Sequence, residues 1–533
     1  MKKVLFFNFD GTTNEPKDGD QKTNFLGHIE DDNITNILKF HILLGGEVRA
    51  GKKSMNRGTI LPNGSCTLYY SGIGTYGNLI KKTKNMILAV ESGDIKDILS
   101  QAFMDFCYFY NTIGGFEKIV ITGFSRGAAI ARRFASTIND YVKEDSMIEA
   151  IFETVASVGV PDLSVERRPK SEVLFENRQI APKVERALHL LALDEKRKPF
   201  QPTLMNKEDK ILEIWFPGVH SDIGGGYRKD GLSDLTFRFF KDWLESLELG
   251  IKLLSPKEID YEKFKSKDGK PLILEDDLDI EPNYINSMHD KLSDKYNKVG
   301  KADRICCVVK DDKILQGERP ILHHSVADLI YFDEKYRPKS LEGVPHKIWY
   351  SPTNIKEFIG VESHKRLQLH ELRRLGKDGV PSEVEVFVFA DKKLNKTRIY
   401  FESNTSYHIE VVGNERWNDG KIKGIDGEGW DRDSQYLGLT EFAIKMMESK
   451  RRVTSKGVNW FTLCGTVVNQ SDSQEMADEK AFIVGNGYDK KDKKLKEFRS
   501  NYSGELCLFA NDLNNFYSNN SGHLRVKISL AKK

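Results

Sequence analysis

The 533-residue chain has no apolar run approaching the roughly 18–20 residues that cross a bilayer as a helix, which excludes a helical membrane span. It has no excess of charge. Its 81 Lys and Arg stand against 79 Asp and Glu, a net of +2, so nothing marks nucleic acid as the main ligand. Cysteine is scarce: six are scattered along the chain, the only close pair is Cys306-Cys307, and no C-x-x-C occurs. That indicates neither a zinc ribbon nor a disulfide scaffold. Internal repeats and low-complexity linkers are also missing. The opening run Lys2-Lys3-Val4-Leu5-Phe6-Phe7 stops at Asn8 and Asp10, too soon for a signal-peptide core, and no small-residue cleavage site follows. It reads as a buried first strand. The chain is expected to be cytoplasmic in the producing cell, with any export bypassing a cleaved signal.

What is present suits a globular protein of two or three domains, since the length exceeds one usual core. Hydrophobic residues make up 39% and charged residues 30%. Strand-like runs at 3–9, 66–71, 118–123, 148–153 and 210–216 alternate with helix-like stretches at 33–44, 85–111, 127–143 and 234–247. Such alternation predicts an α/β fold, a doubly wound, mostly parallel sheet covered by helices. Residues 250–320 are rich in Lys and Asp with weak periodicity and read as an insertion or lid. The first domain is expected over 1–342, a connector of loop and short charged helix over 343–381, and an all-β sandwich over 382–533. The last region shows short alternating strands separated by Gly, Asn and Asp turns, from Val384–Phe389 to Leu524–Ile528.

The most informative segment is Gly123-Phe124-Ser125-Arg126-Gly127. A β-branched run precedes it and an alanine-rich helix follows, so this G-x-S-x-G lies in a strand–turn–helix setting. Small neighbours let the chain reverse sharply around Ser125. The hydroxyl then stands at a strand end beside a helix N-terminus, where free N–H groups stabilise an anion. Ser125 is the candidate nucleophile; the other reading is a glycine-rich turn.

A serine nucleophile needs a base, and the base an orienting acid. In hydrolases of the doubly wound plan the order is serine, acid, histidine, each past a strand end. Among 12 histidines, His220 has that setting, in Trp215-Phe216-Pro217-Gly218-Val219-His220-Ser221-Asp222. His323, beside His324, is the rival base. Glu153 ends the strand between the serine and histidine strands and is the favoured acid. Asp222 is the rival acid, and it is also placed to serve a histidine at 323. The oxyanion would take the Arg126 N–H plus one from Gly11 or Thr12, in the loop after the first strand, where Asp10 and Asn14 lend support. Asp10 can equally form an Asx turn. Asp-Gly-Thr after a first strand also occurs in phosphatases of the haloacid dehalogenase class. Here Asn8, a poor nucleophile, fills the place of their nucleophilic aspartate.

Taken together, Phe9-Asp10-Gly11-Thr12-x-Asn14, Tyr70-x-Gly72-Ile73-Gly74-Thr75, the Ser125 and His220 segments, Glu153-Thr154-Val155-Ala156-Ser157, Leu193-Asp194-Glu195-x-Arg197 and Tyr336-Arg337-Pro338 resemble one family. It is the catalytic domain of type VI secretion phospholipase effectors of the first lipase class. The resemblance covers about residues 1–340. It implies an α/β-hydrolase fold and a triad that falls by position on Ser125, Glu153 and His220. It also implies cleavage of acyl esters of membrane phospholipids without a catalytic cofactor. A secretion apparatus and an immunity protein would be partners. Glu153 departs from the aspartate usual in the family. Separately, Asn511–Gly522 resembles the calcium loop of small galactose-binding bacterial lectins. Asp512, Asn519 and Asn520 would offer oxygen ligands with a backbone carbonyl near Phe516, a set suited to Ca2+, and a glycan would be the ligand. The other reading of this loop is an Asn-rich turn. For the whole chain, the alternatives to an esterase are a glycan-binding protein on an inactive hydrolase scaffold, or another acyl hydrolase such as a peptidase or thioesterase.

Overall fold

The computed structural model describes residues 2–11, 33–48, 58–72, 93–155, 179–228, 230–265, 269, 271–280, 282, 289, 301–332, 336–364, 372–377, 380–420, 422–431, 447–455, 458–469, 472–489 and 491–531. Two compact units result, Met1–Lys365 and Arg366–Lys533.

The first unit is a mixed α/β structure. Its strands are β1 (Val4–Phe9), β2 (Thr59–Ile60), β3 (Cys66–Tyr70), β4 (Lys118–Phe124), β5 (Met147–Phe152), β6 (Val184–Ala192) and β7 (Ile211–Phe216). They are followed by the hairpin β8 (Val309–Lys310) and β9 (Lys313–Ile314), then β10 (Ile321–His323), β11 (Pro345–Ser351) and β12 (Asn354–Ile359). Among the described residues, ten of these form one sheet in the order β12-β11-β10-β7-β6-β5-β4-β1-β3-β2. All neighbours from β3 to β11 are parallel, and the edge strands β2 and β12 are antiparallel.

The central strands β1, β3, β4 and β5 are buried on both faces, which is why they read as near-continuous apolar runs, while the edge strands β2 and β12 are largely exposed. In β1 the alternation is visible. Val4 and Phe6 enter one core, with Phe40 from the helix Asn36–Leu43 and Phe240 from the helix Gly231–Glu245. Leu5, Phe7 and Phe9 enter the opposite core, with Phe106 from the helix Gly93–Phe106 and Phe134 from the helix Arg126–Ile138. Each fully buried side chain of this size contributes about 1.5–3 kcal/mol. From β1 the chain passes to β3 on one side and to β4 on the other. Strand order reverses at such a point, and open α/β sheets place their sites outside the C-terminal strand ends there.

Three expectations need correction. First, the stretch from 343, expected as a connector, begins with β11 and β12, two strands of the large sheet. Second, β6 is a strand where the sequence pattern marks none. Its Ala- and Leu-rich sequence favours helix locally, but burial between β5 and β7 overrides that preference. Third, described parts of the 250–320 insertion are built into the cores: Phe264, Ile273 and Leu278 in one, Cys306 and Val309 in another. A buried cation anchors it. Lys39 Nζ bonds Asp234 at 2.7 Å and the Asp279 carbonyl at 3.0 Å. Of the expected helix 85–111, residues 85–92 lie outside the described residues; the rest is helix to Phe106 and a π-helical turn over Cys107–Ile113.

The second unit holds β13 (Glu383–Phe389), β14 (Asn395–Phe401), β15 (Ser406–Val412), β16 (Trp417–Asp419), β17 (Ile422–Ile425), β18 (Leu463–Val468), β19 (Phe482–Ile483), β20 (Glu497–Arg499), β21 (Gly504–Ala510) and β22 (Asn520–Leu530). They form two antiparallel sheets, β17-β16-β22-β15-β20 with β13 also on β22, and β14-β21-β18-β19. Ile409, Trp417 and Val526 from one sheet share a core with Phe401, Leu506 and Leu508 from the other.

A Cβ on Gly127 would lie 2.2 Å from the Asp10 carbonyl oxygen. Gly127→Ala is therefore expected to destabilise the protein by about 1–3 kcal/mol through overpacking, read as a lowered urea midpoint at unchanged slope. An unchanged midpoint would contradict the close packing of helix and β1.

Candidate active site

Ser125 follows β4 directly, with φ 58° and ψ −124°. For a residue with a Cβ, such a conformation costs on the order of 1–3 kcal/mol and must be held by its surroundings. Its N–H donates to the Phe152 carbonyl at 3.1 Å, and its own carbonyl accepts from Val155 at 3.2 Å and Ala128 at 3.2 Å. Gly123 allows the turn, because a Cβ there would meet the Ala128 Cα at 2.7 Å. Although Ser125 precedes the helix Arg126–Ile138, its side chain makes no capping bond to it. The hydroxyl is not spent on its own helix.

Glu153 follows β5, beside Ser125 at the next strand end, and also has a left-handed backbone, φ 49°. Its N–H donates to the Leu190 carbonyl at 2.8 Å, and its Oε2 accepts from the Ala192 N–H at 2.5 Å. Its Oε1 lies against Arg304 Nη1 in an ion pair in which neither side chain is exposed. Burial pushes the Glu153 pKa up, but Arg304, the nearby His220 and the Ala192 N–H together hold it below the usual carboxylate range.

His220 opens a short helix just past β7. Its ring stacks on Phe124, the residue before Ser125, at 4.7 Å. A Cβ on Gly224 would lie 2.1 Å from that same Phe124 ring, so the glycine after the histidine lets the turn close onto the serine strand. His220 Nδ1 is 3.8 Å from Glu153 Oε1. That is an ion-pair distance, longer than a hydrogen bond, and among the described residues neither atom has a hydrogen-bond partner. Burial lowers the His220 pKa, opposed by Glu153. Ser125, Glu153 and His220 thus converge on the ends of β4, β5 and β7.

The rivals are placed otherwise. Asp222 accepts from Val219 N–H at 2.9 Å and pairs with His289 Nδ1 at 2.6 Å, so its partner is neither His220 nor His323. Asp222 lies only two residues past His220, and its carboxylate is taken up by the Val219 N–H and by His289. His323 bonds Ser325 Oγ at 2.9 Å and stacks on Phe216 at 4.6 Å; burial drives its pKa well down, and its neighbour His324 pairs with Asp328. Among the described residues, its Nδ1 is paired with a hydroxyl and not with an acid.

The expected oxyanion donor Gly11 needs correction. Its N–H donates to Asp10 Oδ1 at 2.6 Å, because Asp10 fixes the loop as the alternative Asx-type reading anticipates. Asp10 also accepts from Thr35 Oγ1 at 2.8 Å and Tyr69 OH at 2.5 Å, tying together β1, β3 and the cap of the helix Asn36–Leu43. Thr12 and Asn14 lie outside the described residues. Arg126 keeps its place at the first turn of the helix after Ser125, its guanidinium lowered by burial to about 10. Asn8 is committed inside the sheet, donating to Thr67 and the Leu68 carbonyl and accepting from Thr122.

Sequence reasoning missed Arg304. No local pattern marks it, since it arrives from the insertion to meet carbonyls of Ala192 at 2.8 Å and Phe200 at 2.6 Å as well as Glu153.

In the second unit, Asp512 Oδ2 accepts from Asn520 Nδ2 at 3.0 Å and Oδ1 from its own following N–H at 2.6 Å. Burial raises the pKa of Asp419 to about 6, reinforced by the facing Asp512 charge. Asn519 donates to Asp419, and Asn520 Oδ1 is buried with no hydrogen-bond partner among the described residues. The Phe516 carbonyl accepts from Asn519 N–H at 3.3 Å. Among the described residues no group of three or more His, Cys, Asp or Glu side chains is arranged for a metal, so a cation here would need amide and carbonyl oxygens besides the two carboxylates.

Residues 3–143 and 139–242 match the family model described as T6SS, phospholipase effector Tle1-like, catalytic domain. No curated protein matches the chain. Among solved structures, an uncharacterized protein from Pseudomonas aeruginosa is 16% identical over 54% of this chain and 50% of its own, with a TM-score of 0.30. The Tle1 effector bound to the VgrG spike from the Type 6 secretion system is 21% identical over 43% of this chain and 51% of its own, TM-score 0.23. The EclA N-terminal domain, a PllA-like lectin, is 14% identical over 28% of this chain and 95% of its own, TM-score 0.18. The chain spans about half the length of the first two. Among the described residues, no helix is long and apolar enough to cross a membrane.

Arg304→Met would strand the buried Glu153 carboxylate, at an expected cost of about 3–5 kcal/mol in urea unfolding. Adding Glu153→Gln should recover part of it. Because the folded pKa of Glu153 lies below its ordinary 4.5, the pair's stabilisation is present above that value and fades as pH falls through the lower one. A loss unaffected by the second substitution would contradict the ion pair.

Proposed function

We propose that this chain, whose residues 3–242 carry a Tle1-like catalytic domain, is a serine ester hydrolase of the α/β-hydrolase plan that cleaves acyl esters of membrane phospholipids. The observation that carries this reading is the placement of Ser125, Glu153 and His220 at the C-terminal ends of β4, β5 and β7, with Ser125 in a strained turn that leaves its hydroxyl uncapped.

In this reading Ser125 Oγ attacks the acyl carbonyl carbon and His220 Nε2 takes its proton. The imidazolium is stabilised by ionised Glu153, which Arg304 keeps deprotonated. The developing oxyanion faces the Arg126 N–H at the helix N-terminus. His220 then gives the proton to the departing alcohol, and water, activated by the same base, releases the fatty acid from Ser125. The 3.8 Å gap between His220 and Glu153 suits a resting enzyme, since catalytic hydrogen bonds often tighten only with substrate bound.

As an effector, the protein would be cytoplasmic in the producer and carried out by a secretion apparatus, and an immunity protein would guard the producer. The matched family model, described as a T6SS phospholipase effector, supports the secretion part of this reading. The second unit we read as a lectin-like β-sandwich. Asp512, Asn519, Asn520 and the Phe516 carbonyl would hold Ca2+ there, joined by Asp419. The orphaned Asn520 Oδ1 and the two facing carboxylates favour a cation at this point. Bound Ca2+ would neutralise these carboxylates and offer open coordination sites to a glycan's hydroxyls.

Fatty-acid release from phospholipid vesicles and from short-chain esters tests the enzyme reading. Ser125→Ala should lose at least about 10³-fold in kcat, and parental turnover by that variant would overturn it. A glycan-binding protein on an inactive scaffold would bind galactosides without any Ser125-dependent turnover. The acid limb of the parent's kcat/KM should fall below the ordinary histidine value of 6.5, because the base must be neutral and burial lowers its pKa. For the second unit, millimolar Ca2+ should raise the melting temperature of the parent but not of Asp512→Ala. Equal shifts would argue against the site.

A further inference from the structure

The motif Leu193-Asp194-Glu195-x-Arg197 leaves the end of β6, between the strand ends that carry Glu153 and His220. Its side chains close on the turn that presents the histidine. Asp194 clamps that turn from outside. Its Oδ2 accepts from Gly218 N–H at 2.8 Å and from Tyr336 OH at 2.8 Å, and its own N–H donates to the Gly218 carbonyl at 3.0 Å. Gly218 has φ 108°, a conformation that favours glycine, so the turn has little room to relax.

Glu195 reaches His220 itself. Its Oε2 accepts the His220 backbone N–H at 3.2 Å and Arg197 Nη2 at 2.7 Å. Its Oε1 accepts from Arg197 Nε at 2.9 Å and from Arg197 N–H at 2.9 Å. The Arg197 guanidinium lies 3.6 Å over the Phe200 ring, and the edge of that ring meets the His220 imidazole, centroids 5.0 Å apart. Both charged residues are buried. His220 therefore has an anion at its backbone and a cation across an aromatic ring, joined to each other.

We propose that Glu195 and Arg197 are positioning residues that hold His220 in place and set its basicity with opposed, fixed charges. The inference rests on the serine-hydrolase reading, in which His220 is the base. Burial is the main influence on the imidazole; of the charges facing it, Glu153 and Glu195 favour the protonated ring and Arg197 disfavours it. Other groups around the turn are already committed: Arg304 to Glu153, Asp222 to His289, and Asp194 to Gly218 and Tyr336. Arg197 holds Glu195 down to about 2 against the opposing effect of burial, so this carboxylate stays charged at any working pH. It acts as a constant field and takes no part in proton transfer. It also touches no reacting atom.

The test is kcat/KM against pH on a short-chain p-nitrophenyl ester, using the full chain, with Ser125→Ala as the reference. Glu195→Gln keeps an oxygen for the His220 N–H but removes the anion and leaves the Arg197 charge unopposed. Its acid limb should move to lower pH by about one unit. Arg197→Met removes the cation and should move the limb to higher pH, and Arg197→Lys should return it close to the parent. A merely structural brace would lower activity in both variants with the limbs unmoved, or displaced the same way, and either result overturns the inference. If Arg197→Met fails to fold, Glu195→Gln and Arg197→Lys decide: a downward limb in the first beside a near-parental limb in the second supports the pair, and any other pattern overturns it. Turnover by Ser125→Ala equal to the parent would overturn the hydrolase reading itself. Ser125-dependent turnover with stationary limbs would overturn only the tuning pair.

Discussion

Two neighbouring strand ends turn through the left-handed region, and each holds the other there. Ser125 after β4 and Glu153 after β5 have φ 58° and 49°. The Ser125 N–H reaches the Phe152 carbonyl, and the Val155 N–H returns to the Ser125 carbonyl. Neither turn would persist in an isolated peptide, because each costs free energy that only the surrounding sheet supplies. The centre of the sheet supplies it by being buried on both faces, with β1, β4 and β5 in parallel register under aromatic layers. The serine and the acid are therefore side by side because of backbone geometry, before any side chain is considered. Gly123 and Gly127 are required for the same reason, since a Cβ on either would enter neighbouring backbone.

On that frame stand two buried ion pairs, and both bear on one imidazole. Arg304 neutralises Glu153, and Arg197 neutralises Glu195. Burial raises the pKa of a carboxylate and so works against its value as a fixed charge, and a nearby cation opposes that. With their arginines, both remain ionised, and His220 lies between them with its ring packed against Phe124 and Phe200. The arrangement is costly in desolvation, so its worth lies in holding charge at fixed points more than in stability. One of the cations comes from the insertion, which links that segment to the acid of the site.

How much of this the sequence disclosed depended on how local each feature is. The Ser125 turn was legible because strand, glycines and helix lie within one short stretch. His220 was legible because a strand end, Pro217-Gly218 and the glycines after it are contiguous. Arg304 was not, since it contacts Ala192 across 112 positions and nothing nearby marks it. Gly11 was misassigned as an oxyanion donor because a sequence cannot show that Asp10 turns back onto its N–H. Asp222 looked like a rival acid until His289, distant in sequence, proved to be its partner. β6 was hidden by helix-favouring residues, and β11 and β12 by a charged setting at the sheet's far edge. In the second unit the strand pattern was largely legible, because burial alternates along strands such as β14 and β22, while β18 and β21, buried throughout, show as short apolar runs.

The most direct measurement is peptide mapping of the intact protein after reaction with a fluorophosphonate, with and without His220. The account predicts a single phosphonyl adduct on Ser125 in the parent and its loss, or a drop of at least about 100-fold in rate, in a folded His220→Ala protein. An unlabelled parent, an adduct on another residue, or equal labelling with the imidazole gone would contradict it.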